Sequence, residues 1–304
     1  MRVRFPIIRH RRWFFLLSGS ITLAGLIVLL LIGLNLGADF TAGSRVQIQL
    51  EQPFSAALVE KAFAKADLPL GGGAVTSAGK NGEFAVVHLG YRLTNDEQSR
   101  MDAAIKQVFP HSLGTEVDAV SPVIAQEQSQ TAVVAVLLAS LFIVIYVAIR
   151  FEFRFAVSAI IALLHDAFIV ISVFALLRIS VDLPFIAAVL TIVGYSINDT
   201  IVIFDRIREN VRTVKPTTFK ELEALVDKSL WQTMARSINT VLTVLFAALA
   251  LFFFGGDPIH NFCFALLVGL ISGGYSSIFI ASPIWVAWRG RSLARASRRA
   301  QTTV

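Results

Sequence analysis

Read from one charged residue to the next, the chain contains six long stretches without charge or with a single acid: 13–38, 128–149, 155–177, 183–204, 237–256 and 258–288. A helix crossing the hydrocarbon of a bilayer needs about 20 apolar residues at about 1.5 Å each. Helices in the cores of soluble domains average about 11–12 residues. Each stretch therefore predicts a membrane helix. The first occupies 13–38, and the other five lie at about 128–149, 155–177, 183–204, 236–256 and 261–288, so that residues 128–288 hold helices two to six. Residues 1–12 and 289–304 are basic ends. The apolar run of the first helix is longer than a signal-peptide core of about 7–15 residues, so it reads as an uncleaved anchor.

Between the first two helices, residues 39–127 follow other periods. Ser44–Glu51 alternates, with Val46, Ile48 and Leu50 on one face, as a strand does. Ser55 can cap a helix through about Asp67 with Leu58, Val59, Ala62, Phe63 and Ala66 on one stripe. Gly71, Gly72 and Gly73 break the chain before a weak strand, and Glu83–Leu89 reads as another. Thr94–Glu97 is a capping box opening a helix with Met101, Ala104, Ile105 and Val108 inward. Pro110 ends it, and Thr115–Val120 alternates again. The order βαββαβ is ferredoxin-like. The predicted fold is thus a polytopic α-helical membrane protein of six transmembrane helices, with one α+β ferredoxin-like extracytoplasmic domain between the first and second.

Composition agrees with a membrane protein. Of 304 residues, 55% are hydrophobic and 16% charged, and the mean hydropathy is +0.69; soluble domains carry about 25% charged residues. The single cysteine, Cys263, excludes an intrachain disulfide framework and multi-cysteine zinc sites. The net charge of +6 would suit nucleic acid or a membrane surface, and its placement favours the membrane. Basic clusters fall at the N-terminus (Arg2 to Arg12), after the second helix (Arg150, Arg154), after the fourth (Arg206 to Lys228) and in the tail (Arg289 to Arg299). The loops after the third and fifth carry only Arg178 with Asp182, and Asp257 with His260. Both termini are therefore expected in the cytoplasm, and the tail is expected to touch anionic lipid or a partner. The 39–127 domain holds 7 Lys/Arg against 11 Asp/Glu, a net −4. It has no cysteine, and His88 and His111 lack a carboxylate at metal-ligand spacing, so it reads as a binding or mechanical module rather than an enzyme. Thr218–Trp231 reads as an amphipathic helix lying on the cytoplasmic membrane surface.

Ionisable groups at membrane depth cost about 2.5–3.5 kcal/mol and mark function. Asp199 lies six residues before Asp205, about 9 Å from the cytoplasmic edge, and Arg236 enters the fifth helix from that edge. If the two helices are neighbours, the pair shares a depth. Tyr195 and Ser196 lie on the helix face of Asp199, Asn198 adds an amide, and Asn239 and Thr240 continue the Arg236 stripe. Burial penalises a charged carboxylate and a guanidinium favours it, so a changing separation would take up and release a proton; a structural ion pair is the plainer reading. His165 and Asp166 lie near the midplane and are expected to be a polar relay or a packing contact. Gly269, Gly273 and Ser277 place a small residue every fourth position for close helix packing. Ser276 and Ser277 have no base partner that would suggest a serine protease.

The segment Gly194–Asn210 (GYSINDTIVIFDRIREN) resembles the fourth-helix signature of the SecD/SecF family of protein-export membrane proteins. The likeness continues through Gly37–Gly43 (GADFTAG), Arg150–Phe155, Leu164–Asp166, Arg236–Thr240 and Ser272–Ile280, and covers roughly residues 35–285. The family pattern has glycine where Ala42 and Ser121 stand here. The resemblance implies an inner-membrane, multi-pass subunit that pairs with a SecD-like mate. It implies work with the SecYEG channel and the SecA motor on unfolded exported polypeptide among membrane lipids, with no nucleic acid. It also implies proton-driven transport of the resistance–nodulation–division type, with Asp199 and Arg236 as the coupling pair and protons in place of any cofactor. An autonomous proton-driven exporter of small molecules or lipids, and a scaffold of the translocon without ion flow, stand as the alternatives.

Overall fold

The computed structural model describes residues 5–302, apart from 38, 42, 51–53, 69, 71–74 and 79–83. Among the described residues, six helical segments are long and apolar enough to cross a membrane. After a short 3-10 turn at Ile8–His10, α1 runs over Arg11–Leu31. It stops well short of residue 38 because Gly33 adopts φ +71, a left-handed conformation that terminates the helix. The apolar residues beyond it form β1 (Asn35–Leu36) instead.

The domain that follows comprises β2 (Gly43–Gln49), α2 (Ala56–Lys65), β3 (Val75–Ala78), β4 (Phe84–Leu89), α3 (Asn95–Val108) and β5 (Gly114–Val120). Its strands form a four-stranded sheet in the order β3-β4-β2-β5, with every pair antiparallel. Both helices contribute to one core: Val59, Ala62 and Phe63 from α2 and Met101, Ala104 and Ile105 from α3 pack with Val46, Ile48, Ala85 and Val87 of the sheet. The capping box at α3 forms, with Thr94 and Glu97 each bonding to the other's backbone N–H. Ser55 stands at the N-cap of α2 but makes no side-chain cap bond. Ala42, Glu51, Gly71 to Gly73 and Glu83 lie outside the described residues.

The remaining spans are α4 (Pro122–Arg150), α5 (Phe153–Leu177), α6 (Leu183–Val214), α7 (Phe219–Phe254), and α8 (Asp257–Ser276) continuing into α9 (Ser282–Thr302). Between α5 and α6 lies β6 (Ser180–Val181). Ser121 caps α4 by accepting from the Ile124 N–H. The separate surface helix expected over Thr218–Trp231 is instead the first part of α7, because no glycine or proline interrupts the run up to Arg236. The last span carries a π-helical turn at Ser277–Ala281. Pro283 follows it, and proline can neither donate to the carbonyl four residues back nor tolerate its crowding, so the widened turn takes up the misfit.

α6 and α8 pack most extensively, with α5 and α7 against them, whereas α4 is nearly bare. Beside the bundle, β1 pairs in parallel with β6. Around that pair the Gly37 N–H donates to the Val181 carbonyl, the Leu183 N–H donates to Asp39, and Asn261 donates to Ser180 and Asp182. This clamp ties the entrance of the α+β domain to the α5–α6 connection and to α8. Burial pushes the Asp182 carboxyl above its usual range, against the hydrogen bonds from Asn261 and the Phe185 N–H.

Candidate functional site

The polar residues in the helix bundle form two linked groups. Asp166 of α5, 1% exposed, is the centre of the first. It accepts from Ser196 Oγ of α6 at 2.7 Å, and from Ser272 and Ser276 Oγ of α8 at 2.7 and 2.6 Å. His165 Nδ1 lies 3.2 Å from the same carboxylate, with Nε2 buried and unpartnered. A carboxylate offers about four acceptor positions, and here four groups occupy them. Helical spacing puts Ser196 on the face of Asp199, yet its hydroxyl serves Asp166. The missed signal is Ser272 and Ser276: one helical turn apart, they lie on the row beside Gly269, Gly273 and Ser277.

Asp199, 7% exposed, is the centre of the second group. Its Oδ1 accepts from Ser237 Oγ of α7 at 2.7 Å, and its Oδ2 has no hydrogen-bond partner. The Ser277 hydroxyl is a second polar group close to the carboxylate, and the Arg236 charge is within electrostatic reach of it. Thr200 bonds Ser277 at 2.8 Å, so the first residue of the π turn sits against α6 beside Asp199. Ser276 on Asp166 and Ser277 beside Asp199 are consecutive, and they join the two groups through α8.

α6 and α7 are neighbours, and Asp199 meets α7 at the level of Arg236, because Ser237 is the next residue. The two groups form no ion pair in this structure: among the described residues, no basic side chain lies within 4.0 Å of the Asp199 carboxylate. Arg236 is exposed and lines a cleft of about 330 Å³ with Val202, Asp205, Arg206, Glu209, Gln232 and Thr233. Arg150 holds Asp205 through both carboxylate oxygens, and Arg206 bonds Gln232 and Glu209. Asn198, Asn239 and Thr240 are exposed; Thr240 bonds back to the Arg236 carbonyl and makes no contact with Asp199. Tyr195 is half-buried with its hydroxyl unpartnered.

Close approach of α8 to α6 depends on small residues. A Cβ at Gly269 would collide with the Ile192 side chain, and one at Gly273 would lie 3.3 Å from Ser196 Cβ. Ser276 donates to Asp166 and Ser277 bonds Thr200, so both hydroxyls serve helix contacts.

Two family descriptions match: "Protein export membrane protein SecD/SecF, C-terminal" over residues 100–291, and "SecD/SecF GG Motif" over residues 27–54. The chain belongs to the SecD/SecF family. Protein translocase subunit SecF of Alicyclobacillus acidocaldarius is 58% identical over 98% of this chain and 97% of its own length. Protein translocase subunit SecDF of Bacillus subtilis is 44% identical over 94% of this chain and 38% of its own length. The crystal structure of SecDF, a translocon-associated membrane protein from Thermus thermophilus, superposes with a TM-score of 0.82 at 33% identity. It covers 95% of this chain, which spans 39% of that one. With its six spans and SecF relatives, this SecD/SecF chain is a multi-pass membrane protein. The glycine-motif match takes in β1, Gly37 and Asp39, and the longer match takes in both Asp166 and Asp199.

Proposed function

We propose that the chain is the proton-coupled SecF-type subunit of the Sec export machinery, acting with a SecD-like mate to promote preprotein translocation across the inner membrane. The observation that carries this reading is Asp199: a carboxylate inside the bundle with one oxygen held and the other open, beside an arginine that lines a cleft at the membrane edge. An open Oδ2 is where a proton can be accepted. A shift of α7 that brings Arg236 onto that oxygen would expel it, since a nearby cation favours the ionised form. Moving one charge through 100 mV supplies about 2.3 kcal/mol, on the scale of a conformational switch. Asp166, with every acceptor position occupied, serves as a fixed tie between α5, α6 and α8.

A SecD-like mate is supported by relatives in which SecDF is one chain, and by exposed polar groups. Asn198, Arg236, Asn239 and Thr240 are exposed on otherwise apolar spans, where lipid gives them no hydrogen bonds. A second bundle packed there would. SecYEG, SecA and the unfolded exported chain enter through the family, as do cytoplasmic termini and an outward-facing α+β domain. The strand order β3-β4-β2-β5, antiparallel throughout, supports a ferredoxin-like domain that acts mechanically; enzymatic activity and cofactors play no part in this reading. Export of a preprotein into inverted vesicles, with and without an imposed proton gradient, tests it. Asp199→Asn should remove the response to the gradient. A full response in that variant refutes the coupling role and leaves the scaffold, while drug export by the chain alone would favour the autonomous transporter.

A further inference from the structure

A second cleft lies away from the carboxylates, where the start of α1, the start of α7 and α9 meet. It measures about 430 Å³ and is lined by Arg11, Arg12, Phe15, Phe219, Gly290 and Arg291, with Ala287 between. Its charges are unequally used. Arg11 is paired with Glu223, donates to the Ile8 carbonyl, and lies over the Phe219 ring at 5.2 Å. Arg12 and Arg291 are exposed and make no hydrogen bond or ion pair among the described residues. Two guanidinium groups thus remain available on the rim of a groove whose floor is aromatic and apolar.

The position of the groove fits a lipid. Arg11 and Arg12 immediately precede the apolar run of α1, and Trp13, 73% exposed, follows them. Trp288, 36% exposed, stands three residues before Arg291 on α9, outside the groove lining and edge-on to Phe153. Tryptophan favours the headgroup level of a bilayer, and arginine there meets phosphate. Phe15 leads from the groove to Leu16 and Leu17, both more than half exposed, on the lipid-facing surface of α1. Gly290 lets α9 lie against Phe219: a Cβ there would strike the ring. The groove therefore sets two exposed guanidinium groups beside an apolar track.

We propose that this groove is a binding site for one anionic phospholipid, with its phosphate between Arg12 and Arg291 and its chains leaving along Phe15. Arg11, held by Glu223 and Phe219, supplies a third, fixed positive charge. The ligand spans three helices that are distant in sequence, and its binding holds the N-terminal segment to α7 and α9. The proposal does not depend on proton coupling.

Native mass spectrometry of the full chain in detergent tests it, using phosphatidylglycerol and phosphatidylcholine at equal concentration. The wild type should retain phosphatidylglycerol in preference, and Arg12→Gln with Arg291→Gln should weaken that retention roughly 30-fold. Arg212→Gln with Lys215→Gln, which removes the same charge from the C-terminal end of α6, should leave it unchanged. Equal retention by the groove variant overturns the site, and an equal loss in the control variant shows only diffuse attraction to a basic protein. Displacement by inorganic phosphate would make it a soluble-anion site, and displacement by an acidic peptide a protein-docking site. Either result refutes a lipid site.

Discussion

Asp166 and Asp199 are both buried carboxylates in neighbouring helices, yet their oxygens are occupied very differently. Three serine hydroxyls and His165 surround Asp166, and one serine holds Asp199. Asp166→Asn loses at least one hydrogen bond to a charged acceptor and turns an amide donor toward hydroxyls already oriented as donors. We expect it to destabilise the chain by about 1.5–3 kcal/mol, seen as a lower melting temperature in detergent, whereas Asp199→Asn should melt close to the wild type. The infrared C=O band of protonated carboxyl groups should disappear from the pH difference spectrum in Asp199→Asn and persist in Asp166→Asn; loss in the latter alone would reverse the two roles. In the α+β domain, His88 lies opposite Arg45 in the β4–β2 register. Burial and then the Arg45 guanidinium hold its pKa below the usual 6.5. The unfolded chain therefore takes up a proton that the folded domain resists, and stability falls as pH drops below about 6.5. Pulse proteolysis of the full chain in urea should show this loss in the wild type and a flatter pH profile in His88→Gln. Both aspartates stand out in the sequence as acids inside apolar runs. Their order of engagement does not, because it depends on which serines of α8 face α5, and helix rotation is set by packing.

At the level of elements, apolar length and turn chemistry carried most of what could be read. Thr94 with Glu97 marked the start of α3 correctly, since a capping box is a local device. Freedom from charge fixes neither the end of α1 nor the start of α7: glycine conformation ends α1, and α7 begins at Phe219, well before Arg236, and runs on to Phe254. The π turn in the last span was invisible beforehand, because Pro283 allows either a kink or a widened turn and the packing of Ser276 and Ser277 selects between them. Gly269, Gly273 and Ser277 pointed to close helix contact without naming the partner, which is α6. Gly269→Ala should drive a methyl into Ile192 and cost about 1–3 kcal/mol through overpacking. Adding Ile192→Ala should recover part of that loss, so a double-mutant cycle read by thermal melting would give a favourable coupling between the two sites. A strictly additive pair would show that α6 and α8 do not meet there.

On the scale of the whole molecule, the proposed coupling at Asp199 requires a mechanical connection to the α+β domain. The only strand pairing between the domain's approach and the helix bundle, among the described residues, is β1 with β6, braced by Gly37, Asp39, Asn261 and Asp182. Asn261 belongs to α8, the helix whose Ser272 and Ser276 hold Asp166 and whose continuation, Ser277, sits beside Asp199. One rigid element thus connects the site with the clamp, and a displacement of α8 is felt at both ends. Asn261→Ala removes the donor to Ser180 and Asp182 while leaving the hydrogen bonds of Asp166 and Asp199 untouched. The sole cysteine, Cys263, is fully buried, so spin labels can be directed to cysteines introduced at the exposed positions Gln107 and Leu177. Asn261→Ala should broaden the distance distribution between those labels, as the domain gains freedom relative to α5. The same variant should keep the protonated-carboxyl infrared signal assigned to Asp199, yet lose the response of export to a proton gradient. An unbroadened distribution would show that the clamp does not orient the domain, and an intact gradient response with a broadened one would show that orientation is not how the proton event is transmitted.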